Sequence, residues 1–154
     1  MSGTLILMTE ELTGGCQCGR VRYRLTLDKR DGYLCHCRMC QRATGGFAAA
    51  FVNVPVGQFE WLSEPDWYAG SPIARRPYCR ECGTPLGFRF NDAVSQDVTY
   101  GSLDDPEGFV PVMHFGAESM HEQWLDMSAL ERRHSAETES VAGRWKAAGL
   151  EVPD

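Results

Sequence analysis

Seven cysteines in three short clusters constrain this chain more than any other feature of its sequence. They are Cys16 and Cys18, then Cys35, Cys37 and Cys40, and finally Cys79 and Cys82. An odd number of thiols cannot all pair in disulfides, and close spacing of this kind is typical of metal ligands. A structural zinc site takes four ligands in a tetrahedron, so the question is how seven thiols divide between sites.

The residues alone allow two divisions. In one, the first and last clusters close a four-thiol site, and the middle cluster forms an open three-thiol site. In the other, Cys37 and Cys40 close a ribbon-like site with the last cluster, which leaves three thiols unassigned. We favour the first division because it uses every thiol and gives the middle cluster one ion without a long-range contact.

Length and charge limit the class of protein. A chain of 154 residues predicts a single domain over 1–154, large enough to form a core without disulfides. A net charge of −6 disfavours nucleic-acid and membrane partners, which select basic surfaces. The N-terminus has no basic leader, and no stretch approaches the ~20 apolar residues of a membrane span. We therefore expect a cytoplasmic protein with reduced thiols; its oligomeric state is not predicted.

Alternating apolar and polar residues predict a mainly β fold. In the stretch 20–27, Val21, Tyr23 and Leu25 share one face, and the arginines between them are expected on a solvated face. From Ser128 the chain is charged, and Ser128 with Glu131 fits a capping box, so residues 128–154 are predicted as a helical or frayed tail. Further short strands, bounded by glycine and proline, are predicted at 33–37, 47–54, 58–62, 67–72, 73–78, 86–90, 97–103 and 110–115.

The middle cluster has the chemistry of an open site. In an extended chain Cys35 and Cys37 point to one side and His36 to the other, so His36 is predicted to be packed rather than a ligand of the same metal. Three thiolates on a divalent ion leave a net negative charge, which weakens the activation of water. Such a site suits a fourth thiolate, and a carbonyl carbon is a natural target for that nucleophile.

Four motifs together resemble one known family: Gly-Gly-Cys-Gln-Cys-Gly at 14–19, Cys-His-Cys-Arg-Met-Cys at 35–40, Tyr-Cys-Arg-Glu-Cys-Gly-Thr-Pro-Leu at 78–86, and Gly-Ser-Leu-Asp-Asp-Pro at 101–106. Over about residues 14–124, the chain is similar to the glutathione-dependent formaldehyde-activating (GFA) family, which includes centromere-protein-V-like domains. The resemblance implies a zinc-stabilised, mostly antiparallel β-tent. It also implies a carbon–sulfur lyase-type activity that condenses glutathione with formaldehyde to S-hydroxymethylglutathione.

The resemblance also implies roles for the cysteines. A structural zinc would be held by Cys16, Cys18, Cys79 and Cys82. A second, exchangeable zinc would be held by Cys35, Cys37 and Cys40, which would then be the catalytic residues. Both implied sites agree with the division favoured above.

Arginines near the middle cluster are candidates for the carboxylates of glutathione, since arginine binds carboxylates in a bidentate manner. Arg38 and Arg42 flank the cluster and are predicted to bind substrate; Arg75 and Arg76 precede the last cluster. The leading hypothesis is an enzyme that adds glutathione to formaldehyde or another small aldehyde. The alternatives are a non-catalytic, zinc-stabilised module that binds glutathione or a protein, and a redox or metal sensor.

Overall fold

The computed structural model describes residues 9–153. The prediction that the N-terminus has no basic leader concerns residues that lie mostly outside this range. Within the described part, no helix is long and apolar enough to cross a membrane. The strands are β1 Glu10–Gly15, β2 Arg22–Leu27, β3 Asp31–Cys35, β4 Ala49–Pro55, β5 Phe59–Trp61, β6 Asp66–Tyr68, β7 Ala74–Tyr78, β8 Gly87–Phe90, β9 Ser95–Thr99 and β10 Val110–Phe115, and the α-helices are α1 Arg38–Thr44 and α2 Glu139–Ala147.

These strands form two sheets, and the fold is mainly β. One has three strands in the order β1-β2-β5, and the other has seven in the order β10-β3-β4-β9-β8-β7-β6. Neighbouring strands are antiparallel except that β10 runs parallel to β3. The ligand-bearing strand β3 is therefore hydrogen-bonded on both sides rather than lying at an edge.

The main core lies between the two sheets. The apolar residues of β2 predicted from alternation, Tyr23 and Leu25, are buried, and they belong to one cluster with Val52, Val54 and Val98 of the larger sheet. Burying this area supplies most of the favourable free energy of folding. The β-tent architecture is thus confirmed, and strand β1, which sequence patterns did not predict, pairs with β2 along its whole length.

Helix α1 lies against the opposite face of the seven-stranded sheet. It begins after Cys37, whose sulfur caps the first turn by accepting from the N–H of Cys40, 3.4 Å away. It ends at Gly45, whose φ of 74° is a left-handed value that glycine adopts without strain. Cys35, Cys40 and neighbouring side chains form a second, smaller buried cluster here.

The chain divides into two compact units at the bond between His121 and Glu122. The C-terminal unit contains helix α2, so the predicted helical tail is confirmed, and none of the helix's residues is buried. The predicted capping box is wrong: Ser128 and Glu131 lie in turns and coil, because the Ser128 hydroxyl donates to the Asp126 carboxylate, 2.6 Å away, instead of capping a helix. The limits of a single domain over 1–154, with a core at about 14–124, stay a prediction.

Candidate metal and active site

Four thiols from distant parts of the chain meet in what we call the four-cysteine cluster: Cys16, Cys18, Cys79 and Cys82. Their sulfur atoms all lie within 4.8 Å of one another. Sulfur–sulfur distances are 3.5 Å from Cys16 to Cys18 and 3.7 Å from Cys18 to Cys79. The structure thus brings together the thiols of the first of the two predicted divisions.

Neighbouring groups favour the ionised form of two of these thiols, Cys79 and Cys82. Cys18 differs, because a backbone hydrogen bond is outweighed by the adjacent thiols and by burial, which raise its pKa to about 11. Gly83, with a φ of 76°, allows the turn after Cys82, and a hydrogen bond with the Thr84 hydroxyl, 3.1 Å away, lowers the pKa of Cys82 to about 5. Burial opposes ionisation of Cys79, but the Arg20 guanidinium, 3.4 Å from its sulfur, helps to lower that pKa. Arg20 also pairs with Asp66, so it does not lie on a merely solvated face.

The remaining three thiols form what we call the three-cysteine cluster: Cys35, Cys37 and Cys40. Their sulfur atoms also lie within 4.8 Å of one another, with 3.6 Å between Cys35 and Cys37. Cys35 ends strand β3, Cys37 caps α1, and Cys40 lies one turn into that helix. The strand-to-helix turn therefore brings three thiols together within six residues of sequence.

The three thiols of this cluster differ in their electrostatics. Burial raises the pKa of Cys35 to about 12. Burial also acts on Cys37, but the backbone N–H of Cys40 and the adjacent thiols outweigh it and lower that pKa. Burial raises the pKa of Cys40, although the Arg76 guanidinium donates to its sulfur from 3.4 Å and opposes the rise. Arg76 thus places a positive charge in contact with this cluster.

His36 lies between two of these cysteines but points away from them, as the alternation predicts. It is fully buried, and its Nε2 lies 2.9 Å from Nδ1 of His114 on β10. Its backbone N–H donates to the carbonyl of Phe115, 2.8 Å away. The prediction that His36 is a packed residue is confirmed, and it links β3 to the parallel strand β10.

The three-cysteine cluster opens into a cleft of about 550 Å³, which all three of its members line and which we call the thiol cleft. A second cleft of about 440 Å³ shares Met39 and Arg76 with it and is lined by Arg42. Of the two arginines predicted to bind substrate, Arg42 therefore faces a cleft. Arg38 lines neither of these two clefts and donates to the side chain of Gln41.

Sequence reasoning named Arg76 only as one of two arginines before the last cluster. The structure separates them: Arg76 contacts Cys40, whereas the guanidinium carbon of Arg75 lies 4.3 Å from the centre of the Trp67 ring. Adjacent strand residues point to opposite faces, so only one of the two could reach the site. The missing information was the position of β7 in the sheet.

The donor atoms of both clusters fit zinc. Zinc–thiolate bonds of 2.3 Å in a tetrahedron place sulfurs about 3.8 Å apart, close to the distances found here. Soft thiolate donors also select zinc over the hard cations magnesium and calcium. Each cluster could therefore hold a metal ion.

The family model of the glutathione-dependent formaldehyde-activating enzyme, GFA, matches residues 11–119. The chain belongs to the GFA family. It is similar to an uncharacterized lyase of Schizosaccharomyces pombe, with 26% identity over 82 residues, which span 53% of this chain and 60% of the relative's length. The match over residues 11–119 thus confirms the family that the cysteine motifs predicted.

A solved structure gives independent support for the fold. A Rhodobacter sphaeroides protein of known crystal structure matches with a TM-score of 0.53 and 22% identity, over 65% of this chain and 98% of that one. At this level of identity the likeness shows the fold alone.

Proposed function

We propose that this GFA-family chain is a zinc-dependent enzyme of the carbon–sulfur lyase type, which joins glutathione to formaldehyde or another small aldehyde. In the proposal, the four-cysteine cluster holds a structural zinc ion and the three-cysteine cluster holds an exchangeable one. One observation carries it: among the described residues, the group that contains Cys35, Cys37 and Cys40 has three metal-ligating side chains and no fourth, and all three line a cleft.

The metal and the chain have separate tasks. A zinc ion, when bound, supplies a fourth position that stabilises the thiolate form of an incoming thiol. Cys35, Cys37 and Cys40 would hold that ion where they line the thiol cleft. Arg76 lies against Cys40 and offsets the negative charge that three thiolates bring.

The second cleft is the proposed site of glutathione's carboxylates. Arg42 lines it, and Arg76 lies where it meets the thiol cleft. Its volume is in the range of about 300–1,000 Å³ typical of small-molecule sites. The thiol sulfur then adds to the aldehyde carbon, the C=O double bond becomes a single bond, and the thiol proton ends on the oxygen.

The proposal is tested by exchange NMR spectroscopy on mixtures of formaldehyde and glutathione. Catalytic amounts of the zinc-loaded protein should raise the rate of exchange between free formaldehyde and S-hydroxymethylglutathione above the uncatalysed rate. An unchanged rate together with tight binding of glutathione would remove the enzyme and favour the non-catalytic binding module.

A further inference from the structure

The floor of the thiol cleft is one face of the seven-stranded sheet. Six neighbouring strands each contribute two residues that are two positions apart, as a shared face of pleated strands requires. These residues are Met113 and Phe115 of β10, Tyr33 and Cys35 of β3, Phe51 and Asn53 of β4, Ser95 and Asp97 of β9, Phe88 and Phe90 of β8, and Ala74 and Arg76 of β7.

This face is strongly apolar and remains accessible. Phe90 is 43% exposed and Ile73, at the rim, is 63% exposed. Phe88 and Phe90 pack edge to face, with ring centres 4.8 Å apart. Large aromatic side chains that stay exposed in a concave site are typical of ligand binding rather than of core packing.

The few polar groups of the cleft are already engaged with one another. The Asn53 side-chain amide donates to the Asp97 carboxylate from 2.8 Å and to the Ser95 hydroxyl from 3.1 Å. The guanidinium of Arg76 contacts Cys40 and lies 5.0 Å from the centre of the Phe88 ring. A ligand is therefore offered mainly hydrocarbon surface, with its reactive end at the cysteines.

Formaldehyde does not account for this cleft. Formaldehyde has only two non-hydrogen atoms, so it is not much larger than a water molecule, which takes about 30 Å³ in the liquid. The cleft, in contrast, has a volume of about 550 Å³. A small molecule in a large apolar site leaves most of that surface in contact with water and gains little binding energy. The walls fit a larger, apolar molecule.

We propose that the aldehyde used at this site is bulky and apolar, with its carbonyl at the three-cysteine cluster and its hydrocarbon body against Phe88, Phe90 and Phe51. This inference rests on the proposed function and names its substrate class. The chemistry is the same addition: a carbon–sulfur bond forms, the C=O double bond becomes single, and the thiol proton ends on the oxygen. The product is a thiohemiacetal, and no oxidant or reductant is needed.

The test compares two aldehydes, formaldehyde and 3-phenylpropanal, with glutathione and the zinc-loaded protein. For each, the catalysed rate of adduct exchange is measured by NMR and divided by the uncatalysed rate. We expect this acceleration to be about tenfold greater or more for 3-phenylpropanal, since apolar pockets discriminate by such factors per group added.

Variants then locate the effect. Phe90→Ala should lower the acceleration for 3-phenylpropanal, divided by that for formaldehyde, about tenfold. Ile73→Ala changes a second residue of the same cleft and should lower this ratio as well. Both side chains are substantially exposed, so their loss leaves no buried cavity. Leu62→Ala is the matched control, because Leu62 is 51% exposed and lines neither cleft.

The outcomes separate the inference from the function on which it rests. Acceleration for formaldehyde but not for 3-phenylpropanal overturns the inference and leaves the function standing. Acceleration for neither removes both. Equal behaviour of the Phe90→Ala, Ile73→Ala and Leu62→Ala variants overturns the assignment to this cleft. Dimerisation in analytical ultracentrifugation that Phe90→Ala abolishes would assign the apolar face to a second copy, and would also overturn it.

Discussion

The two cysteine clusters use the same ligand atoms but are built in different ways. The four-cysteine cluster joins two hairpin-like turns that are 61 residues apart between Cys18 and Cys79. The three-cysteine cluster comes from one strand-to-helix turn and faces a cleft. Long-range closure with four thiols suits a site that holds the fold, whereas local spacing with three suits a site that exchanges its fourth ligand.

Both clusters contact an arginine, which sharpens the comparison. Arg20 lies 3.4 Å from Cys79 and also pairs with Asp66, while Arg76 lies 3.4 Å from Cys40 and stacks over Phe88. Charge compensation is therefore common to the two clusters. The surroundings of the two arginines differ. Arg20 pairs with the carboxylate of Asp66, whereas Arg76 lies over the aromatic ring of Phe88.

The largest expected effect is loss of the fold on breaking the four-cysteine cluster. Cys79→Ser should abolish cooperative unfolding, because structural zinc contributes on the order of 10–16 kcal/mol in zinc-finger peptides and a domain has only about 5–15 kcal/mol in total. Circular dichroism and zinc content per chain measure this. A folded variant with normal cooperativity would mean that this cluster is not structural.

The matching change in the other cluster should spare the fold. Cys37→Ser removes a zinc ligand but keeps an N-cap, because serine is a preferred capping residue and its oxygen can accept from the N–H of Cys40. We expect loss of catalysed exchange, loss of one zinc ion per chain, and a change in the free energy of unfolding within about 2 kcal/mol. Collapse of the fold would place Cys37 in a structural site.

A smaller effect is expected at the arginine beside the three-cysteine cluster. Arg76→Lys keeps the charge but loses the planar guanidinium, so zinc affinity at this cluster should fall by about 10–100-fold, as for other groups that bond to metal ligands. Competition with a chromophoric chelator measures the affinity. Arg75→Lys is the control, since that side chain stacks on Trp67; equal effects of the two changes would refute a specific role for Arg76.

The smallest expected effect is on the pH dependence of stability. One carboxyl near each cluster has a shifted pKa, and the two shifts have opposite directions. Burial raises the pKa of Asp97 from 3.8, whereas the backbone N–H of Arg80, with Arg20, lowers that of Asp66. A raised pKa means that the folded state binds more protons than the unfolded state, so the free energy of unfolding falls as pH rises from 3.8 through the folded value.

Asp97→Asn removes the ionisable group, and with it the fall in the free energy of unfolding at higher pH. The amide oxygen can still accept from the side chain of Asn53. The stability of this variant relative to the original chain should therefore rise as the pH is raised above 3.8, as measured by urea unfolding. Asp66→Asn provides the contrast. The lowered pKa of Asp66 stabilises the folded chain above pH 3.8, and this stabilisation is lost as the pH falls, so the stability of this variant relative to the original chain should not rise with pH. Parallel curves for the two variants would contradict the assignment.

Sequence patterns predicted the parts of the molecule that depend on local spacing. The alternation of β2 and the opposite directions of Cys35 and His36 follow from the geometry of a strand, which repeats every two residues. The three thiols at 35–40 meet because they lie within six residues of sequence. These predictions required no knowledge of the order of strands in the sheet, and the structure confirms them. The capping box at Ser128 failed because a nearby carboxylate, Asp126, competed for the same hydroxyl.

The rest depended on contacts between distant residues. The parallel pairing of β10 with β3, the contact of Arg76 with Cys40 and the joint apolar face of six strands follow from the order of strands in the sheet, which no local pattern encodes. The same holds for Asp97, which sequence reasoning did not single out. Its burial arises only where β4, β9 and Tyr33 come together.

The spacing of the ligands along the chain also sets an order of assembly during synthesis. The three thiols of the open cluster are complete once residue 40 has left the ribosome. Cys79 and Cys82 emerge several seconds later at synthesis rates of about 5–20 residues per second. The growing chain therefore offers three metal-ligating thiols before the second site, or the cleft formed by later strands, exists. The site proposed to exchange its ion is the first one able to acquire it.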